Sequence, residues 1–154
     1  MMNVCMITDS TQTYYHYIVT SICFDFSVCP GGLNLTKTSG VITSPFFPRK
    51  YPDNQNCSWQ ITARQGNRLK LEIDLRFNIQ DCGVDCTCDY LQIKNGFSAD
   101  PSENERMCGV SSSKNFYSTH QNLEVLFVSD GTKSKLYDGF KATYTQLNYT
   151  PPSK

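Results

Sequence analysis

SGVITSPFFPRKYPDNQNCSWQI, from Ser39 to Ile61, gathers turn-formers, aromatic residues, a cysteine and the chain's single tryptophan into one stretch. Gly40 to Ser44 is a short β-branched run. Pro45, Pro48 and Pro52 each bar an α conformation from the residue before them and remove a backbone donor. Helix is therefore excluded here. Beyond the turn-forming run Asp53 to Asn56, the residues Cys57, Trp59 and Ile61 alternate with polar neighbours, so a strand would turn all three to one face. Trp59 is expected to anchor the core.

Further along, Leu69, Leu71, Ile73, Leu75 and Phe77 alternate with Lys70, Glu72, Asp74 and Arg76, the clearest period-two pattern in the chain. It predicts a strand that buries all of these apolar side chains on one face and shows charge on the other, as in an antiparallel sheet with one solvated side. More strands are expected at Tyr90 to Lys94, around Met107, at Leu123 to Ser129 and at Gly139 to Tyr144, separated by clusters of Asn, Gly, Ser or Asp. Phe97 to Glu105 is polar and reads as a surface loop. Short strands, frequent turns and no helical periodicity describe an all-β sandwich.

A chain of 154 residues is enough for one domain with appendages. Its 14 Lys and Arg balance 14 Asp and Glu, leaving no net field to hold nucleic acid or an anionic membrane, and no nucleic-acid partner is expected. No apolar run approaches the roughly 18 to 20 residues of a membrane helix, so no membrane span is expected. The 8 cysteines lack zinc-site spacing and only His16 and His120 offer imidazole, so disulfides are the better reading. Asn34-Leu35-Thr36, Asn56-Cys57-Ser58 and Asn148-Tyr149-Thr150 are glycosylation acceptor triplets, which agree with an oxidising, extracellular location.

Met1 to Val28 lacks the basic start and small-residue cleavage site of a secretory signal, and Asp25 interrupts its most apolar run. Cys5 and Cys23 bracket a segment rich in Tyr, Ile, Val and Thr, which suits a β-hairpin closed by a Cys5–Cys23 bond or the remnant of a preceding domain. These features read as a piece of a longer extracellular chain. Residues 148–154 read as an extended linker. No G-x-S-x-G, H-E-x-x-H, Walker loop, dinucleotide-binding glycine pattern or EF-hand loop is present, and His120 lies in a polar run as a solvated loop histidine. No enzyme activity is expected and no catalytic residue is assigned.

The pattern S-G-x-I-x-S-P-x-x-P-x-x-Y-P-x-x-x-x-C-x-W-x-I resembles the opening of a CUB domain, the extracellular module of tolloid-type and complement proteases, cubilin and spermadhesins. Further matches follow in that family's order: Cys86-Thr87-Cys88-Asp89-Tyr90-Leu91-Gln92-Ile93 with Asn95-Gly96, Cys108-Gly109, Phe127-Val128-Ser129-Asp130, and Gly139 to Tyr144. The resemblance covers the chain from Cys29 to Leu147 and implies a jelly-roll-like antiparallel β-sandwich of CUB/spermadhesin type. It implies a Cys29–Cys57 bond, worth roughly 3.5 kcal/mol in the chain-entropy model, and a Cys86–Cys108 bond. Cys82 and Cys88 are then additional to the family pattern and would pair with each other. In a strand, however, Cys86 and Cys88 share a face, so Cys88 to Cys108 with Cys82 to Cys86 is an open alternative.

The same resemblance implies one calcium ion, held by the glutamate before the third cysteine, the aspartate of C-x-x-D and the aspartate of S-D, with the tyrosine of Y-P in support. The matching positions are Gln80, Asp89, Asp130 and Tyr51. Gln80 keeps an oxygen but loses the charge, and Lys133 stands where the family tends to have Asn. Asp81 is a candidate for the missing carboxylate. Calcium wants six to eight hard oxygen ligands, so these departures predict a weak site. The family implies a non-catalytic module that binds an extracellular protein through a basic side chain, with Asp89 and Asp130 as the recognising positions. Two alternatives are an accessory module of a secreted protease whose catalytic domain lies outside this chain, and a spermadhesin-like carbohydrate-binding protein.

Overall fold

The computed structural model describes residues 8–9, 12–13, 29, 31–96, 104–132 and 136–148. Two short strands come first, β1 (Thr8–Asp9) and β2 (Gln12–Thr13), paired antiparallel. The strands that follow are β3 (Leu33–Leu35), β4 (Ser39–Thr43), β5 (Asn56–Thr62), β6 (Asn67–Ile73), β7 (Phe77–Ile79), β8 (Tyr90–Asn95), β9 (Asn104–Met107), β10 (Gly109–Ser111), β11 (Lys114–Tyr117), β12 (Asn122–Val128) and β13 (Lys141–Asn148). There is no α-helix among the described residues. A four-stranded sheet in the order β11-β6-β13-β4 faces a five-stranded sheet in the order β3-β5-β12-β8-β9, and β7 pairs with β10 apart from both. All pairings are antiparallel except β3 on β5, where Leu33 aligns with Trp59.

Alternation decides which side chains fill the space between the sheets. Cys57, Trp59 and Ile61 of β5 point inward beside Leu123, Val125 and Phe127 of β12 and Leu91 and Ile93 of β8. Leu69, Leu71 and Ile73 of β6 meet them from the other sheet, with Ala142 and Tyr144 of β13 and Ile42 of β4. Aromatic contacts run through this core from Tyr51 to Phe127 at 5.1 Å, Phe127 to Phe140 at 5.5 Å and Phe140 to Trp59 at 5.9 Å between ring centroids. Two glycines are required by this packing. A side chain on Gly40 would stand 2.6 Å from the Tyr144 ring. One on Gly139, whose φ is +86°, would collide with the Ser44 hydroxyl and stand 3.2 Å from the Tyr51 ring.

The structure corrects the sequence reading in several places. Leu75 is not buried with its neighbours: it is 71% exposed. The cause is Asp74, whose carboxylate accepts the Arg76 amide at 3.1 Å and whose own amide donates to the Lys141 carbonyl. This local bond ends β6 at Ile73, and Phe77 re-enters the core on a separate strand. Asn104 and Glu105, expected in a loop, begin β9 opposite Lys94 and Ile93, while residues 97–103 lie outside the described residues. The strand expected around Met107 is two, β9 and β10, with Gly109 at φ +74° where the second begins. The strand expected at Gly139 to Tyr144 runs on to Asn148. Cys5 and Cys23, Lys133 and residues 149–154 lie outside the described residues.

Candidate functional site

Tyr51 follows the proline-rich turn after β4 and is drawn into the core by its ring, so its hydroxyl ends up buried among polar groups. It donates to Asp89 Oδ2 at 2.6 Å and accepts the Gln80 amide at 3.0 Å. Asp89 enters β8 from the cysteine-rich loop and is closed to solvent. Its other oxygen accepts the Asp130 amide at 2.7 Å. Residues far apart in sequence thus meet on one carboxylate at one end of the sandwich. Asp130 itself is half-buried, and its Oδ1 accepts from the amide and hydroxyl of Thr132.

The loop at Pro52 to Gln55 is fastened to the Asp130 turn. Ser129 Oγ donates to the Pro52 carbonyl and accepts the Gln55 amide, both at 2.9 Å, and the Asp130 carbonyl accepts the Asn54 amide at 2.7 Å. Ser129 and Gln55 were not among the residues expected at the site. Their signals, the S-D pair and the turn-forming run before Asn56, were visible without the connection between them.

Gln80 carries the remaining feature. Its Nε2 donates to Cys82 Sγ at 3.5 Å, and its Oε1 is the one buried side-chain polar atom without a hydrogen-bond partner among the described residues. An orphaned buried acceptor costs free energy that a cation would recover. Carboxylate and amide oxygens such as those of Asp89, Asp130 and Gln80 are of the hard kind that calcium takes. No group of three or more His, Cys, Asp or Glu is placed to hold a metal ion among the described residues. Asp81, the candidate for the missing carboxylate, is exposed, and its side chain accepts the Gly83 amide at 2.8 Å.

Three disulfides are present among the described residues, Cys29 to Cys57, Cys82 to Cys88 and Cys86 to Cys108. The same-face argument for Cys86 and Cys88 fails because neither is in a strand: β8 starts at Tyr90, and Cys86 has φ +47°. Asn34, Asn56 and Asn148 are exposed, and Asn34 and Asn56 lie on the outer face of the five-stranded sheet, in the rows of Gln60 and Val128.

Burial first, and then the bond to Asp89, push the Tyr51 hydroxyl far above its ordinary pKa of 10.0. The folded state therefore favours the neutral phenol. Its contribution to stability is complete below about pH 10 and declines as pH rises further, because the unfolded chain releases the proton first. Tyr51→Phe is expected to reduce the alkaline loss of stability by up to about 1.4 kcal/mol per pH unit, as read from denaturant midpoints between about pH 9 and 11. Part of the loss should remain, since burial also raises Tyr144. An alkaline limb identical in the two proteins would contradict this account of Tyr51.

Comparison with known proteins adds independent findings. The family model described as "CUB domain" matches residues 29–144. Human tolloid-like protein 2 is 37% identical over 117 residues, 76% of this chain and 11% of that protein. Dog cubilin is 42% identical over 118 residues, 76% of this chain and 3% of that protein. The chain thus spans a small part of these relatives. Among solved structures, the full extracellular region of zebrafish Gpr126/Adgrg6 matches with a TM-score of 0.68 and 30% identity, covering 79% of this chain and 15% of that one. The MASP-1 CUB2 domain bound to Ca2+ matches with a TM-score of 0.64 and 30% identity, covering 75% of this chain and 99% of that one.

Proposed function

The chain belongs to the CUB domain family, and from that premise we propose that residues 29–147 are an extracellular, non-catalytic protein-binding module, 1–28 a preceding segment and 148–154 a linker. The observation that carries the binding role is the hydrogen-bonded cluster of Tyr51, Asp89 and Asp130, joined by the backbone amide of Gln80, whose side-chain oxygen is buried and unpartnered. Asp89, Asp130 and Gln80 would hold one calcium ion, with Tyr51 fixing Asp89 by its hydrogen bond. Bound there, the ion would hold the Pro52 to Gln55 and Asp130 loops in one arrangement. Asp89 is closed to solvent, so a basic side chain of a partner would be met by Asp130, with Asp89 behind it. The three disulfides and the exposed Asn34, Asn56 and Asn148 support an oxidising compartment and N-linked glycans. Similarity to a tolloid-like protein supports a second reading, an accessory module in a longer protease.

Calcium binding to the folded state must raise its melting temperature. With an amide in place of an acid, the response is expected near millimolar concentration. At about 5 mM the gain should be about 1 kcal/mol for a millimolar site, or roughly 4 °C. Asp130→Ala should remove the response, Gln80→Glu should move it to lower concentration, and magnesium should substitute poorly. A melting curve indifferent to calcium at about 5 mM, several times the dissociation constant of a millimolar site, would overturn the ion reading.

A further inference from the structure

We infer that the Cys82–Cys88 disulfide is a positioning device for the ion site, its sulfur accepting from the Gln80 side-chain amide and so orienting it. This inference rests on the calcium reading above. Gln80 lies just before Cys82 and Asp89 directly after Cys88, and the bridge brings those two cysteines to a Cα separation of 5.7 Å. Gln80 and Asp89 are also joined through the Tyr51 hydroxyl, which accepts from one and donates to the other. Covalent and hydrogen-bonded links therefore close a ring: Gln80, Tyr51, Asp89, Cys88, Cys82 and back to Gln80.

The last contact in that ring determines the ligand atom. A disulfide sulfur accepts hydrogen bonds and cannot donate them, so the side chain that touches it must present its NH2 group. Gln80 does so at 3.5 Å, which leaves Oε1 as the atom without a partner. A glutamate in this position would have no proton to offer the sulfur. The amide at position 80 and the additional bridge thus form a working pair.

Neither loop anchoring nor core packing requires the bridge. The loop between Cys82 and Cys88 is already tied to the start of β10 by the Cys86–Cys108 bond. Its apolar residue Val84 is 99% exposed, so closing the loop serves no hydrophobic core. What the bridge does touch is Gln80.

The test is a calcium titration of melting temperature on the oxidised chain and on Cys82→Ala/Cys88→Ala, which leaves no acceptor at position 82, each with Gln80 and with Gln80→Glu. Removing the bridge should raise the half-saturating calcium concentration about tenfold in the Gln80 protein, the lower end of what outer-shell partners are worth. In the Gln80→Glu background the shift should be under about threefold, because a carboxylate gives the sulfur nothing to accept. No shift in either background, or an equal shift in both, would overturn the inference alone. A parent chain without any calcium response would overturn the ion reading and the inference with it. A measurement independent of variant folding is proton NMR of the parent: Gln80 side-chain amide protons should show cross-relaxation to the Cys82 β protons, and its absence would overturn the assignment.

Discussion

Trp59→Ala is expected to lower the free energy of unfolding by about 3 to 5 kcal/mol, the range for deleting a buried aromatic side chain. Trp59 is 5% exposed, on an inward row of β5 with Cys57 and Ile61, and its ring meets Phe140 edge-on at 5.9 Å. Deleting the indole removes apolar burial and leaves a cavity that strands β5 and β12 cannot close without shifting their register. The loss also strips Phe140 of a partner, and Phe140 packs on Phe127, which packs on Tyr51. The measurement is the denaturant midpoint with disulfides intact. A loss below about 1 kcal/mol, the scale of an ordinary substitution, would contradict the packing. Stability of several kcal/mol is a large part of what a domain of this size has.

What the sequence made legible was local. Cys57, Trp59 and Ile61 declare their face through simple alternation, and so do Leu69, Leu71 and Ile73. Leu75 continues the pattern in letters but not in space, because a single carboxylate, Asp74, captures the Arg76 amide and breaks the strand. Lys114–Tyr117 escaped notice for the opposite reason. Its sequence has no alternation, and it is a strand because its backbone completes the edge of β6, with Phe116 opposite Leu71. Leu33–Leu35 likewise is a strand through its parallel pairing to β5.

The candidate site was not legible from periodicity at all. Tyr51 and Asp89 are 38 residues apart and Asp89 and Asp130 are 41, and no local rule joins them. Resemblance to a family named these positions. It did not foresee that Asp89 would be closed to solvent, that Asp81 would turn to Gly83, or that Gln80 would direct its nitrogen to a sulfur. Each of those outcomes depends on which donors the fold delivers to a given oxygen.

Asp89→Ala is the substitution that separates the structural role of the site from its ion-binding role. In calcium-free solution it should cost about 4 kcal/mol. The Tyr51 hydroxyl loses its acceptor in a buried place and the Asp130 amide loses its own in a partly buried one, and each orphaned donor costs about 1 to 3 kcal/mol. Asp130→Ala should cost under about 1 kcal/mol in the same solution, since its carboxylate serves only the neighbouring Thr132 among the hydrogen bonds described. Asp89→Asn should fall between them. It keeps the shape, but its NH2 group must face one of two donors, so one bond is kept and the other is lost. Millimolar calcium should act on the parent and not on the alanine variants. Asp89→Ala and Asp130→Ala should both fail to gain stability, so their difference should stay as it was, while each should fall further behind the parent by the parent's gain. Urea midpoints in chelator and in calcium measure both effects in one experiment. Equal losses for the two alanine variants without calcium would mean that Asp89 is not the acceptor on which Tyr51 and the Asp130 loop depend.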